Sequence, residues 1–150
     1  MNEEERRVIV DQEMVKALKF LTDAEELARL EMWNVVANRG ESRKMGVSYV
    51  VANRAYYALY HAVMAMMVND GFLPKTHSGL ITEFGREYVI TGKIDPKYSK
   101  VLSQMRSIRE NCDYDVFYYT CKEEMEPVLI TVRELIELIN ERINDSASKR

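Results

Sequence analysis

At 150 residues, with 47% hydrophobic and 30% charged side chains, the chain is long enough to bury a core and is expected to form one domain over residues 1–150. A net charge of −3 excludes attraction to nucleic acid by bulk charge, so any such contact needs a local basic patch. Cys112 and Cys121 fit neither a disulfide framework nor a zinc site, and two histidines without clustered carboxylates offer no metal-ligand spacing. The charged segment 2–7 is no secretion signal, which points to the cytoplasm.

In chain order the pattern predicts five helices. The first covers about 4–32, with Val8, Val15, Leu18 and Leu21, and further on Ala24 and Ala28, recurring at helical spacing. Residues 38–46 are polar with two glycines and read as a loop. A central helix follows over about 47–69. From Ala55 to Val68 only His61 is strongly polar, and a helix apolar on every side needs cover on every side. With Arg54 and Asn69 close by, it is too short for a membrane span. Asp70 and Gly71 end it. A connection over 72–76 containing Pro74 leads to a third helix, 78–90, closed by Thr91 and Gly92. Asp95 caps and Pro96 opens the fourth, which turns Val101, Leu102, Met105, Ile108 and Cys112 inward. An aromatic-rich connection spans 113–119. Thr120-Cys121-Lys122-Glu123 resembles a capping box for the last helix, which reaches about 143, with Pro127 as a kink or a later start. Residues 144–150 read as a frayed tail. The expected fold is an all-α, up-and-down bundle of about five helices.

Val35-Val36-Ala37-Asn38-Arg39 recurs letter for letter as Val50-Val51-Ala52-Asn53-Arg54. The simplest account is a short tandem duplication. Fifteen residues rotate the second copy by about 60° on a continuous helix, so the two cannot present one face. The first copy is expected to be the spare one.

Three constellations could carry chemistry. Arg54, Tyr57 and His61 lie at i, i+3 and i+7, one stripe of the central helix. Polar groups in an apolar helix are costly unless paired, so they either meet a ligand or satisfy one another in the core. Arg106, Arg109 and Asp113 repeat the spacing on the fourth helix, as a solvated face or as an anion grip in which Asp113 and Tyr114 clamp Arg109. Lys75 and His77 precede the third helix, where backbone N–H groups make a phosphate seat; the plainer reading is capping by Thr76 or Ser78 with Lys75 solvated. Ala52, Ala55, Ala58, Ala62 and Ala65 form a small-residue stripe for close helix packing, and Met64, Met66 and Met67 read as core or as a homodimer face.

The run from Asn53 to Ala62, then Lys75-Thr76-His77-Ser78-Gly79, Phe84-Gly85, Thr91-Gly92 and Arg109 with Asp113-Tyr114 together resemble the HEPN superfamily, most of all its small stand-alone members encoded beside a minimal nucleotidyltransferase. The resemblance covers about 8–143, and removing one copy of the duplicated segment restores the family spacing of the first two helices. It implies an all-α bundle pairing into a homodimer. Many members are metal-independent RNA endonucleases that act as toxins, with the nucleotidyltransferase as antitoxin. Their motif is an arginine followed four to six positions later by a histidine at the dimer cleft. Here those positions after Arg109 hold Asp113, Tyr114 and Asp115, so the nuclease motif is incomplete. The expectation is a nucleotide- or RNA-binding regulatory module, without cofactor or metal. It contacts phosphate through Arg54, Tyr57, His61, Lys75, His77, Arg109, Asp113 and Tyr114, and acts with a nucleotidyltransferase partner in a toxin–antitoxin pair. The alternative is a ribonuclease toxin in which His61 or His77 serves with Arg109. A third reading is a purely structural bundle.

Overall fold

A computed structural model describes residues 1–29, 41–115, 120 and 122–149, the side chains of 41–48 excepted. The end of the predicted first helix, the first copy of the repeat (35–39), most of the predicted 113–119 connection, and Cys121 lie outside the described residues. Among the described residues all regular structure is helical: α1 (Glu3–Arg29), α2 (Glu41–Asn69), α3 (His77–Phe84) running on through a π-helical turn (Gly85–Val89), α4 (Pro96–Tyr114) and α5 (Lys122–Ser148). They form a bundle in which α1 packs along α2, and α4 and α5 also close on α2.

The start and stop signals act locally. Asp95 accepts a hydrogen bond from Lys97 N at 2.8 Å with Pro96 in the first turn of α4. Gly71 and Gly92 take φ of 93° and 75°, the left-handed region, and terminate α2 and the π-helical turn. α2 begins at Glu41, earlier than the glycines suggest. Gly46 lies inside it, and an interior glycine costs a helix only about 1 kcal/mol. α4 likewise runs on through Asp113 and Tyr114. α5 passes through Pro127 and continues to Ser148, past the predicted tail boundary. Ile143 is buried, and Ser146 and Ser148 bond back to the carbonyls of Arg142 and Asn144. Thr120 Oγ1 donates to Glu124 Oε2 at 2.9 Å just before α5.

The inward face of α1 is a correction. Val10, Met14, Ala17, Leu21, Ala24 and Ala28 are buried, whereas Val8, Val15 and Leu18 are 51%, 66% and 43% exposed. At 100° per residue the first set forms one stripe; Val8 and Val15 fall on the opposite side. The alanines decide the register, because small side chains let α1 lie close to α2. The small-residue stripe of α2, Ala52 to Ala65, is fully buried on the facing side.

α2 is covered on most of its circumference but not all of it. Asn53, Arg54, Tyr57, Tyr60, His61 and Met64 are only half-buried and share one face, between α1 and the start of α3. At the far end of the bundle, Tyr88 Oη and Arg142 Nη2 both donate to Asp70 Oδ2, at 2.9 and 3.1 Å, tying the π-helical turn and α5 to the end of α2. Burial and the Asp70 carboxylate push the Tyr88 phenol well above its ordinary range. No helix among the described residues is long and apolar enough to cross a membrane.

Candidate functional site

The half-buried face of α2 is an aromatic cluster. Tyr57 and Tyr60 sit on it, Tyr56 turns inward beside them, and the imidazoles of His61 and His77 flank Tyr60 with centroids at 5.3 and 4.3 Å. α1 supplies Phe20, stacked on His61 at 5.6 Å and 10°, and Glu13, whose Oε2 meets His61 Nδ1 at 2.5 Å. α4 supplies Arg109.

Arg109 is held from several sides. Nη1 donates to Tyr57 Oη at 3.2 Å and lies 3.5 Å from Asp113 Oδ2. The guanidinium stands over the rings of Tyr56 and Tyr57 at 5.3 and 5.8 Å. Among the described residues its Nε is sealed from solvent without a hydrogen-bond partner, while Nη2 makes no hydrogen bond and is not among the sealed atoms. A guanidinium so fixed, with one corner unused, is preorganised to take an anionic oxygen.

His77 stands at the first position of α3. Thr76 caps that helix by accepting from Gly79 N at 2.9 Å. A Cβ on Gly79 would lie 2.9 Å from Thr76 Oγ1, so the cap requires glycine there. The cap aims His77 back at α2, where Nδ1 meets Tyr56 Oη at 2.8 Å. Burial, then the charges of Arg109 and Arg106, hold the His77 imidazole below its ordinary pKa. Burial pushes the Tyr56 phenol up to about 12 and also raises Tyr60. Arg109 and His77 therefore share two neighbours, Tyr56 and Tyr57, although thirty-two positions separate them in the chain.

The residues singled out from the pattern divide into two groups. Tyr57, His61, His77, Arg109 and Asp113 come together in the cluster. Arg54 joins at its edge, stacked over Phe20 at 5.2 Å. Arg54, Tyr57 and His61 each find a partner on another helix or on its rings, so the stripe does not satisfy itself. Lys75 is exposed two residues ahead of His77, and Tyr114 is 83% exposed at the end of α4 and makes no hydrogen bond to Arg109. Arg106 is engaged by Glu110 at 2.8 Å. Glu13, Phe20, Tyr56 and Tyr60 complete the cluster without having been singled out as site residues. The available signal was the i, i+7 spacing of Glu13 and Phe20 on α1. Among the described residues no three His, Cys, Asp or Glu side chains converge to hold a metal ion.

Comparison with known proteins places this geometry in context. Over residues 41–143 the chain matches the HEPN domain family. A Methanocaldococcus jannaschii protein named "Putative toxin" is 28% identical over 92 residues, 61% of this chain and 68% of that protein. A second protein of that name from the same organism is 30% identical over 77 residues, 51% of this chain and 52% of its own length. A Thermotoga maritima "UPF0332 protein" is 30% identical over 93 residues, 62% and 70% of the two chains. The family match takes in α2 through most of α5, and with them every cluster residue except Glu13 and Phe20, so this chain belongs to the HEPN domain family.

Proposed function

We propose that this chain is a toxin-like HEPN module that binds RNA or a nucleotide at the Arg109–His77 cluster and acts beside a minimal nucleotidyltransferase. The observation that carries the reading is the shared pair Tyr56–Tyr57, which brings one fixed guanidinium and one imidazole to the same half-open face. Phosphate offers only acceptor oxygens, and both groups can donate. The surrounding rings provide surfaces on which a base can stack. Two relatives named as toxins support the toxin-like part. The nucleotidyltransferase partner rests on the resemblance carried by residues 53–62 and 75–79. The half-buried face of α2 suits a homodimer contact that would further enclose the cluster. Binding is tested by fluorescence anisotropy with a labelled single-stranded RNA at low salt; no binding there, to RNA or to nucleotides, refutes the reading. Co-expression with a minimal nucleotidyltransferase, followed by size-exclusion chromatography, tests the partner.

A second reading has its own support. An imidazole whose pKa is held below its ordinary value beside a guanidinium is suited to moving a proton during phosphodiester cleavage. On this reading the protein is a metal-independent ribonuclease in which His77, or His61, serves with Arg109 in place of the missing motif histidine. It predicts RNA cleavage in EDTA that Arg109→Ala abolishes; cleavage surviving that change counts against it.

A further inference from the structure

We propose that Glu13 and His61 form a ribose-reading subsite, in which Glu13 fixes the imidazole with Nε2 presented as a hydrogen-bond acceptor for a 2′-hydroxyl. The inference rests on the reading of Arg109 and His77 as phosphate contacts, and adds to it a sugar contact from α1 and α2.

Burial alone would raise the Glu13 pKa, but hydrogen bonds from His61 and Lys16 more than offset it and keep the carboxyl below its ordinary value. An ionised carboxylate only accepts, so the proton in the Glu13–His61 contact sits on His61 Nδ1. A neutral imidazole protonated at Nδ1 carries its lone pair at Nε2. The ring cannot turn easily, because it stacks on Phe20 at 5.6 Å and meets the edge of Tyr60 at 5.3 Å. His61 Nε2 has no hydrogen-bond partner among the described residues and is not sealed from solvent.

His77 has the opposite polarity. Tyr56 is 1% exposed, and the hydrogen-bond partner of its hydroxyl is His77 Nδ1. A buried O–H needs an acceptor, so Tyr56 donates, and His77 carries its own proton at Nε2. Two imidazoles on either side of Tyr60 thus present an acceptor and a donor. The donor, with Arg109, matches phosphate oxygens. The acceptor at His61 matches nothing on phosphate, and matches the 2′-hydroxyl that ribose has and deoxyribose lacks. Glu13 is a positioning residue: it sets the tautomer and touches no ligand itself.

The test compares one single-stranded sequence as RNA, as 2′-fluoro RNA and as DNA, binding the full chain at pH 8. The fluoro form keeps a ribose-like sugar pucker but cannot donate. RNA is expected to bind about tenfold more tightly than either analogue, the scale of one hydrogen bond. Glu13→Gln replaces an acceptor-only carboxylate with an amide that can either accept from or donate to Nδ1, so the tautomer is no longer imposed and the RNA preference shrinks. Long-range 1H–15N correlation spectra read the tautomer directly, with His61 protonated at Nδ1 in the wild type. Equal binding of RNA and its fluoro analogue, or a wild-type His61 protonated at Nε2, overturns the subsite even if Arg109→Ala abolishes binding. If no oligonucleotide binds, the phosphate reading fails and the subsite with it. Should Glu13→Gln not fold, the wild-type tautomer and the fluoro comparison still decide.

Discussion

Glu13 Oε2 and His61 Nδ1 meet at 2.5 Å across forty-eight positions of chain, the shortest hydrogen bond between α1 and the half-buried face of α2 among the described residues. Removing the carboxylate leaves a half-buried imidazole without its partner. Glu13→Ala is expected to cost about 1–3 kcal/mol in urea denaturation. The contribution depends on pH. The Glu13 pKa is depressed below its ordinary 4.5, so the stabilisation is complete above that value and is lost as pH falls through the folded-state pKa. Wild type and Glu13→Gln should therefore differ at pH 7 and converge in acid; a difference that persists unchanged at pH 3 contradicts the assignment.

On the proposed reading, Arg109 is the group on which phosphate contact depends. Arg109→Ala should weaken RNA binding roughly ten- to a hundredfold and reduce the slope of log affinity against log salt by about one. Arg109→Lys should not restore it, since an ammonium cannot keep the Tyr57 bond and the ring stacking while offering a second planar N–H. Anisotropy titrations at several salt concentrations measure both.

The bond between Tyr56 and His77 can be removed with little change of shape. Tyr56→Phe should cost about 0.5–1.5 kcal/mol by urea denaturation, because water can replace the phenol at the half-exposed His77. A loss well beyond that range would mean that the bond orients more of the cluster than its two partners.

His77 predicts a second pH effect, of opposite origin to the first. Its pKa is lowered by burial, then by Arg109, Arg106 and His61, with Glu110 opposing. Below the ordinary value of 6.5 the unfolded chain binds a proton at this residue that the folded chain does not. Stability should fall as pH drops from about 6.5 toward the folded-state pKa. His77→Asn should flatten that part of the curve, and Arg109→Ala should shrink it; thermal unfolding at half-unit pH steps reads the slopes.

The register of α1 is tested by a pair of substitutions two residues apart. Ala17→Leu, at a fully buried position against α2, should destabilise by about 1–3 kcal/mol through overpacking. Val15→Ser, on the open side, should stay within about 0.5 kcal/mol. The reverse order would mean that the Val8–Val15–Leu18 side faces the core.

The all-helical fold and most helix boundaries could be read from the chain because caps and turns act within a few residues. Asp95 with Pro96 opens α4, and Gly71 and Gly92 close their helices, through contacts no longer than one turn. The Arg54–Tyr57–His61 stripe was legible for the same reason: spacing on a helix puts side chains on one face wherever that helix lies. Family kinship was legible too, since residues 53–62 and 75–79 carry it in their order. Spacing could not say what each stripe would meet. In the reading of α1, Leu21, Ala24 and Ala28 are buried as their spacing suggested, but Val8, Val15 and Leu18 are exposed, and Val10, Met14 and Ala17 line the core in their place. Glu13 looked like any surface carboxylate until packing set it against His61, and Arg109 and His77 became neighbours through two tyrosines of a third helix. Such pairings depend on the crossing of distant segments, which desolvates their groups and fixes their protons, and no local pattern of residues encodes that.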